Sequence, residues 1–370
     1  MPEACYLPGN RAPDARPVQP TTTLPDVPTR DVANPYAALL ARAQAERRLL
    51  AVHWELTHRC NERCTHCYLP VRPPHPPPAG ELTTAECLDV LEQLADLGVL
   101  HLTFSGGEAL VRQDFFTLAA AARARRFALR IFSNGLAITP AIADRIGALH
   151  PLAVEISLYA ADAATHDAIT RRPGSWRRTL AAFGLLRKRN VPVVMKTPLM
   201  RQNVAQYAAL EALATQFGAR FRYDLTITGG IEGRPAPPHH RLTGAELAAF
   251  YRSIGPTGRT RDQLSGPRRC AIGQSSLLIG PDGAVYPCPE IRIAAGNVRT
   301  ERLRIIWEEA PLWRELATLR DADLPACRGC VVADLCRRCH GIALAETGSL
   351  TGAPAVTCRE AWGRRAGMTR

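Results

Sequence analysis

Lysine is almost missing from this 370-residue chain: of its 46 basic residues, all but Lys188 and Lys196 are arginine. No apolar run approaches the roughly 18 residues that a membrane helix needs. The opening stretch MPEACYLPGNRAPDARP lacks the apolar core of a secretion signal. A helical membrane protein and a secreted precursor are thereby set aside, and the expected compartment is the cytoplasm. The net charge of +12 comes from arginines scattered along the chain rather than gathered in a stripe, so no nucleic-acid groove is expected. The same charge suits an acidic substrate, and a basic surface serving solubility is the plainer alternative.

What the chain does have is twelve cysteines. Disulfides are rare in a reducing compartment, so clustered cysteines there point to metal binding. The chain is also long enough to bury one large core and a smaller appended domain. Residues 1–50 read as a Pro- and Thr-rich arm leading into a short helix around Ala37–Leu50. From 51 to 228, short apolar runs alternate with longer amphipathic segments. The runs are 51–57, 99–105, 127–133, 152–158, 191–200 and 219–227; helical spacing marks 83–98, 112–125 and 176–189. Six strand–helix repeats mean an α/β fold with a parallel sheet and right-handed crossovers, either doubly wound or a partial barrel. Pro and Gly thicken between Thr228 and Pro267, which marks 229–269 as a linker. In 270–370 little helical period is visible, and seven cysteines stand where a hydrophobic core would be.

The segment HRCNERCTHCYLP sets Cys60, Cys64 and Cys67 in the spacing C-x3-C-x2-C directly after the first apolar run. That is the C-terminal edge of a parallel sheet, where α/β folds keep their active sites. Three thiolates ligate three irons of a cubane and leave the fourth open. A zinc site with His58 or His66 as fourth ligand is the alternative left open by the triplet itself. One strand later comes FSGGEAL, with Gly106, Gly107 and Glu108. The glycines admit close backbone approach to a ligand, and the carboxylate can accept from an ammonium.

These motifs resemble the radical S-adenosylmethionine (SAM) superfamily, whose signature is this triplet followed by an aromatic residue, here Tyr68. The resemblance implies a partial (β/α)6 TIM-like barrel. It implies a [4Fe-4S] cluster whose open iron chelates SAM, and a 5′-deoxyadenosyl radical that abstracts hydrogen from the substrate. Gly106, Gly107 and Glu108 would meet the methionyl amino group. Ser133, Asn134, Ser157 and Lys196 would reach ribose or carboxylate, and Leu199 or Tyr68 would face the adenine. The residue-level alternative is that these are strand-end turn residues and a solvated lysine. No catalytic acid or base is readable; Glu155 and Tyr159 merely stand near the right strand end.

Downstream, Cys270 and Cys288 bracket a hairpin pattern, LLI then PDG then AVY, and Cys327, Cys330, Cys336 and Cys339 follow as C-x2-C-x5-C-x2-C before Cys358. Paired C-x2-C knuckles are also the signature of a zinc ribbon, which would leave three cysteines unexplained. The segment resembles the SPASM domain of radical SAM enzymes, although the last pair is usually C-x3-C there. The resemblance implies one or two auxiliary iron–sulfur clusters. Cys270, Cys288 and Cys339 would hold the first, and Cys327, Cys330, Cys336 and Cys358 the second. Cys5 and Cys87 read as non-ligands, and His239-His240 as a solvated loop pair.

Taken together, the expected function is oxidative modification of a ribosomally made peptide or protein side chain. The alternative is tetrapyrrole modification in heme or heme d1 synthesis, and the non-enzyme alternative is a zinc-stabilised binding scaffold. The segment before Ala51 reads as too short for a winged-helix leader-binding domain. The expected partners are therefore the peptide, a separate leader-binding protein, and an electron donor such as flavodoxin or ferredoxin, with neither nucleic acid nor membrane.

Overall fold

All six apolar runs become strands: β1 Ala51–Glu55, β2 His101–Ser105, β3 Ala128–Ser133, β4 Ala153–Ser157, β5 Val193–Pro198 and β6 Arg220–Asp224. They are parallel and stand in the order β6-β5-β4-β3-β2-β1. A doubly wound sheet reverses its order at a switch point; here the order never reverses, which selects the barrel. The computed structural model describes residues 35–76, 78–231, 238–255, 270, 272–319 and 324–368. Cys5 and much of the expected linker lie outside the described residues.

Helices α1 Pro35–Ala45, α2 Thr84–Asp96, α3 Phe115–Ala124, α4 Pro140–Ala148, α5 Ala163–Thr170, α6 Ser175–Arg187 and α7 Tyr207–Gln216 precede or separate the strands. Local chemistry starts several of them. In α2 the Thr83 hydroxyl accepts from the Glu86 N–H, and the Glu86 carboxylate accepts from the Thr83 N–H at 2.7 Å. Thr139 caps α4, with Pro140 in the first turn.

One face of the sheet, carrying Val52, Trp54, Leu102, Phe104, Leu129, Ile131, Val154, Ile156 and Met195, is buried in the main core. The opposite face is polar, with His53, Glu55, Thr103, Ser105, Arg130, Glu155, Ser157 and Lys196. The His53 ring on β1 meets Phe132 on β3 edge to face at 5.5 Å, across β2. Strands two apart in a flat sheet stand roughly 9.5 Å apart, so this face is concave and forms a lumen.

The hairpin expected after Cys270 is present as β7 Ser276–Ile279 and β8 Ala284–Tyr286, followed by β9 Gly296–Asn297. Unforeseen is that β7 also pairs in parallel with β1, Ala51 opposite Ser276, so the hairpin extends the barrel sheet. The segment 229–269 holds a helix, α8 Gly244–Ile254, started by a Thr243–Glu246 capping box. The expectation of little helical period after 270 is corrected by α9 Leu303–Glu309, α10 Pro311–Thr318, α11 His340–Thr347 and α12 Ala355–Met368. Leu303, Ile306 and Trp307, then Leu312, Trp313 and Leu316, do bury at helical spacing. Pro311 splits that pattern into two short pieces, and cysteines interrupt the rest. No helix among the described residues is long and apolar enough to cross a membrane.

Burial pulls His53 and His166 down from 6.5 to about 4, so both are neutral in the fold. His166 Nδ1 accepts from the Tyr159 N–H at 3.2 Å, which a protonated ring cannot do. As pH falls from about 6.5 towards 4, the unfolded chain takes up protons that the folded chain refuses, and stability present above that window is lost. At pH 5.5 each histidine is expected to cost about 1.4 kcal/mol. Buried carboxylates such as Glu108, raised to about 7, act in the opposite sense over the same window, so the check is a difference: between pH 7.5 and 5.5 the urea midpoint should fall further, or rise less, in the wild type than in His53→Gln.

Candidate functional site

The triplet lies on the loop leaving β1, with Cys60 buried and Cys64 and Cys67 half-buried. Backbone bonds hold this loop on two sides. The Cys60 N–H donates to Arg72 O at 3.0 Å, while Arg63 and Thr65 donate to Thr170 and Ile169 at the end of α5, at 3.0 and 2.9 Å. The third side is the Gly-Gly-Glu turn: Gly107 donates to Thr57 O at 2.7 Å and Glu108 to Arg59 O at 2.8 Å. Gly106 has φ +133°, and a Cβ there would stand 2.2 Å from Thr57 O. A Cβ on Gly107 would stand 2.4 Å from Arg59 O and 3.0 Å from the Cys60 Cβ. The close approach that the missing Cβ atoms allow is to the chain's own cysteine loop. Gly107→Ala is expected to displace that loop and cost about 1–3 kcal/mol. Gly184→Ala, in α6 with nothing within 4 Å, is the control and should be neutral or stabilising in the same melt.

Glu108 joins two strand ends. Its carboxylate accepts from Ser133 Oγ at 3.0 Å and from the Asn134 N–H at 2.6 Å. Burial raises its pKa to about 7 against these bonds. The Asn134 side chain donates to Asn61 Oδ1 at 2.6 Å and lies 3.7 Å from Cys60 Sγ. Glu108, Ser133 and Asn134 are thus gathered beside Cys60.

One buried and two half-buried thiols, with no disulfide among the described cysteines, form a soft donor set. Burial, with Glu108 adding, pushes the Cys60 thiol up to about 12; Cys64 and Cys67 are raised too. Cys64 Sγ donates to Glu62 Oε2 at 3.5 Å. Thiolates here need a cation, and iron of a cluster supplies it. Among the described residues no three His, Cys, Asp or Glu close on one point as a single ion would require; in a cubane each thiolate meets its own iron. The donor set fits a cluster.

The other expected SAM residues are less uniform. Ser157 sits half-buried at the end of β4, in register with Lys196. Lys196 is not a solvated lysine: Nζ is 3.4 Å from Glu155 Oε2 and 3.8 Å above the Phe132 ring, and burial lowers its pKa against the pull of Glu155. Tyr68 donates to Glu55 Oε1 at 2.8 Å. Leu199 is wholly buried with Leu225, Leu242, Leu247, Phe250 and Tyr251. The apolar residues that do pack against Cys64 are Tyr159, Ile169, Met200 and Ile227; sequence reading noticed only Tyr159, because the four come from separate segments. Of the pair His239-His240, His239 is exposed as expected, whereas His240 is buried, with Nδ1 2.9 Å from Gln202 Oε1.

Also missed was Glu55, fully buried in the lumen. Arg292 grips it at 2.6 and 2.9 Å, and His58 stands 3.4 Å away. Burial would raise its pKa, but the His58 and Arg292 contacts prevail and hold it at about 2. Tyr68 follows Cys67, and Arg292 comes four residues after Cys288. One carboxylate therefore ties the first cysteine loop to the second cysteine group.

In that second group, Cys288 and Cys339 interact electrostatically, as do Cys339 and Cys270, so these three are neighbours. The knuckle turns through Cys330 N–H to Cys327 O and Cys336 N–H to Ala333 O, at 3.1 and 3.2 Å. Helix α12, which carries Cys358, packs against the turn Ala333–Leu335. Cys87 is buried in the core on α2.

Residues 54–213 match the Radical SAM superfamily, and residues 270–331 match SPASM, an iron–sulfur cluster-binding domain. The chain is 31% identical to mycofactocin maturase MftC of Mycobacterium ulcerans, over 85% of this chain and 89% of that one. It is 28% identical to AdoMet-dependent heme synthase of Methanosarcina barkeri, over 81% and 93%, and 31% identical to PqqA peptide cyclase of Gluconobacter oxydans, over 70% and 76%. The crystal structure of Streptococcus suis SuiB bound to S-adenosylmethionine superposes with a TM-score of 0.67 over 89% of this chain and 84% of that one, at 16% identity. With such identity running through most of both chains, and the cysteine triplet at the mouth of a sequentially ordered parallel barrel, this protein belongs to the radical SAM superfamily and carries a SPASM domain.

Proposed function

We propose that this radical SAM enzyme oxidatively modifies a side chain of a ribosomally made peptide. The observation that carries the reading is the lumen carboxylate Glu55, held at once by Tyr68 beside the first cysteine loop and by Arg292 beside Cys288. A substrate in the lumen stands between two cysteine groups, an arrangement suited to removing a hydrogen atom at one and an electron at the other. Relatives named as a maturase and a peptide cyclase support a peptide as the substrate.

Cys60, Cys64 and Cys67 would hold the SAM-binding [4Fe-4S] cluster. The seven later cysteines would hold auxiliary clusters, Cys270, Cys288 and Cys339 on one and Cys327, Cys330, Cys336 and Cys358 on the other. When bound, the first cluster and SAM supply a 5′-deoxyadenosyl radical that takes a hydrogen atom from the substrate. The chain's own work is positional. Gly106 and Gly107 press the Glu108 turn against the cysteine loop, and Ser133 and Asn134 fix the Glu108 carboxylate for an ammonium donor. Ser157 and Lys196 offer polar contacts across β4 and β5, Tyr68 orients Glu55, and Leu199 backs β5. Tyr159, Ile169, Met200 and Ile227 keep water from Cys64. A separate leader-binding protein and a flavodoxin- or ferredoxin-type electron donor complete the proposal.

The test is anaerobic reconstitution with SAM and dithionite, offering precursor peptides encoded beside the gene and following their mass. A modified peptide lighter by hydrogen, formed with 5′-deoxyadenosine, is expected. Turnover of a carboxylated tetrapyrrole with peptides untouched would favour the second reading, which the heme synthase relative supports.

A further inference from the structure

The interior of an ordinary TIM barrel is filled with layers of Val, Ile and Leu. This lumen instead holds an unbalanced set of charges. Arg130 of β3, Lys196 of β5 and Arg222 of β6 all converge on one carboxylate, Glu155 of β4. Arg130 forms a close ion pair with Oε1, Lys196 Nζ stands 3.4 Å from Oε2, and Arg222 stands 3.9 Å from Oε1. The Glu155 side chain is 2% exposed, whereas those of Arg130, Lys196 and Arg222 keep 24%, 37% and 57%, so the cations can be reached from outside. Of the further carboxylates, Glu55 is already committed to Arg292 and Tyr68, and Asp224, which also attracts Lys196, still leaves three cations to two carboxylates. Arg222 also lines a cavity of about 280 Å³, together with Asp224, Arg337 and Arg364. Within it, Arg364 is paired with Glu360, and Asp224 accepts from the Thr226 N–H at 2.8 Å.

Arg130, Lys196 and Arg222 against Glu155 and Asp224 leave positive charge in excess at the reachable end of the lumen, and an arriving anion gains there. Guanidinium groups select a planar carboxylate by paired hydrogen bonds. We infer that the lumen from Arg130 to Arg222 is a receptor for a carboxylate of the substrate, admitted through the cavity beside Arg222. The inference rests on the substrate entering the barrel as proposed above. A carboxylate could come from an acidic side chain, a peptide C-terminus, a porphyrin propionate, or SAM itself, and the experiment separates these sources.

The full chain, anaerobically reconstituted, is titrated with a fluorescent decapeptide ending in a free carboxylate, its carboxamide, and the carboxamide carrying one internal Glu. Coproporphyrin and its tetramethyl ester form a second arm, and SAM affinity is measured in parallel. Each acid that the receptor accepts should bind about tenfold tighter than its neutral counterpart, the size of one charge-assisted hydrogen bond. Arg222→Gln should shrink that preference to about threefold or less, with SAM affinity unchanged. The double variant Arg130→Gln/Glu155→Gln removes one charge of each sign and leaves the same positive excess on Lys196 and Arg222, so it should keep a preference of about tenfold; losing it would mean that the excess charge is not what selects the acid. Equal binding of acid and neutral forms of every probe, including no binding at all, overturns the inference. So does Arg222→Gln if it weakens SAM as much as the acid probe, since the anion is then SAM's own. A preference confined to the porphyrin arm keeps the receptor and overturns the peptide reading. A peptide modified equally well as acid and as amide does the reverse.

Discussion

Replacing Cys60, Cys64 and Cys67 together by alanine is expected to abolish 5′-deoxyadenosine production from SAM and to lower bound iron by about four per chain, leaving the auxiliary iron in place. The expectation follows from placement. The three thiols share one loop, bracketed by the end of α5 and the Gly106-Gly107 turn, while Cys270, Cys288 and Cys339 gather elsewhere around the β7–β8 hairpin and the start of α11. Removing one donor set should therefore not unload the other. Iron and acid-labile sulfide quantitation checks the first part, and chromatography of the SAM products checks the second. Deoxyadenosine undiminished in the triple variant would sink the assignment of these residues. Zinc without labile sulfide in the wild type would revive the binding-scaffold alternative.

The largest stability effect is expected at Glu55. The carboxylate is fully buried and receives two bonds from Arg292 and one from Tyr68. Glu55→Gln leaves the half-buried guanidinium without its countercharge, which typically costs about 3–5 kcal/mol. The double variant Glu55→Gln/Arg292→Met should recover much of that loss, because an apolar chain asks for no partner. Tyr68→Phe removes only one bond to a charged group and should cost about 1.5–3 kcal/mol. Anaerobic urea melts measure all three. Equal destabilisation by the single and double variants would mean that Glu55 acts through packing and not through its charge.

Much of the candidate site was legible because its residues are close in sequence. Cys60, Cys64 and Cys67 occupy eight consecutive positions, and Gly106, Gly107 and Glu108 are adjacent. Strands 1 to 6 were legible because short apolar runs alternate with segments of helical spacing. The lumen was not. Glu55, Arg130, Glu155, Lys196, Arg222 and Arg292 lie on six separate segments; Lys196 and Glu155 were noticed at their strand ends, but nothing in the sequence joined them to the other four. Gly106 and Gly107 were legible as special, but what they accommodate was not: their partner is the carbonyl of Thr57 or Arg59, about fifty residues earlier.

By itself, then, the sequence determined the alternation of strand and helix, the cysteine spacing and the hairpin after Cys270, all set by contacts within a few residues. Tertiary structure alone decided that β7 joins β1, that α12 packs along α8, that Leu199 is spent in the core, and that three cations share Glu155. These pairings join residues tens to hundreds of positions apart. Chain periodicity carries no record of such distances; only closing the sheet around a lumen brings the partners together.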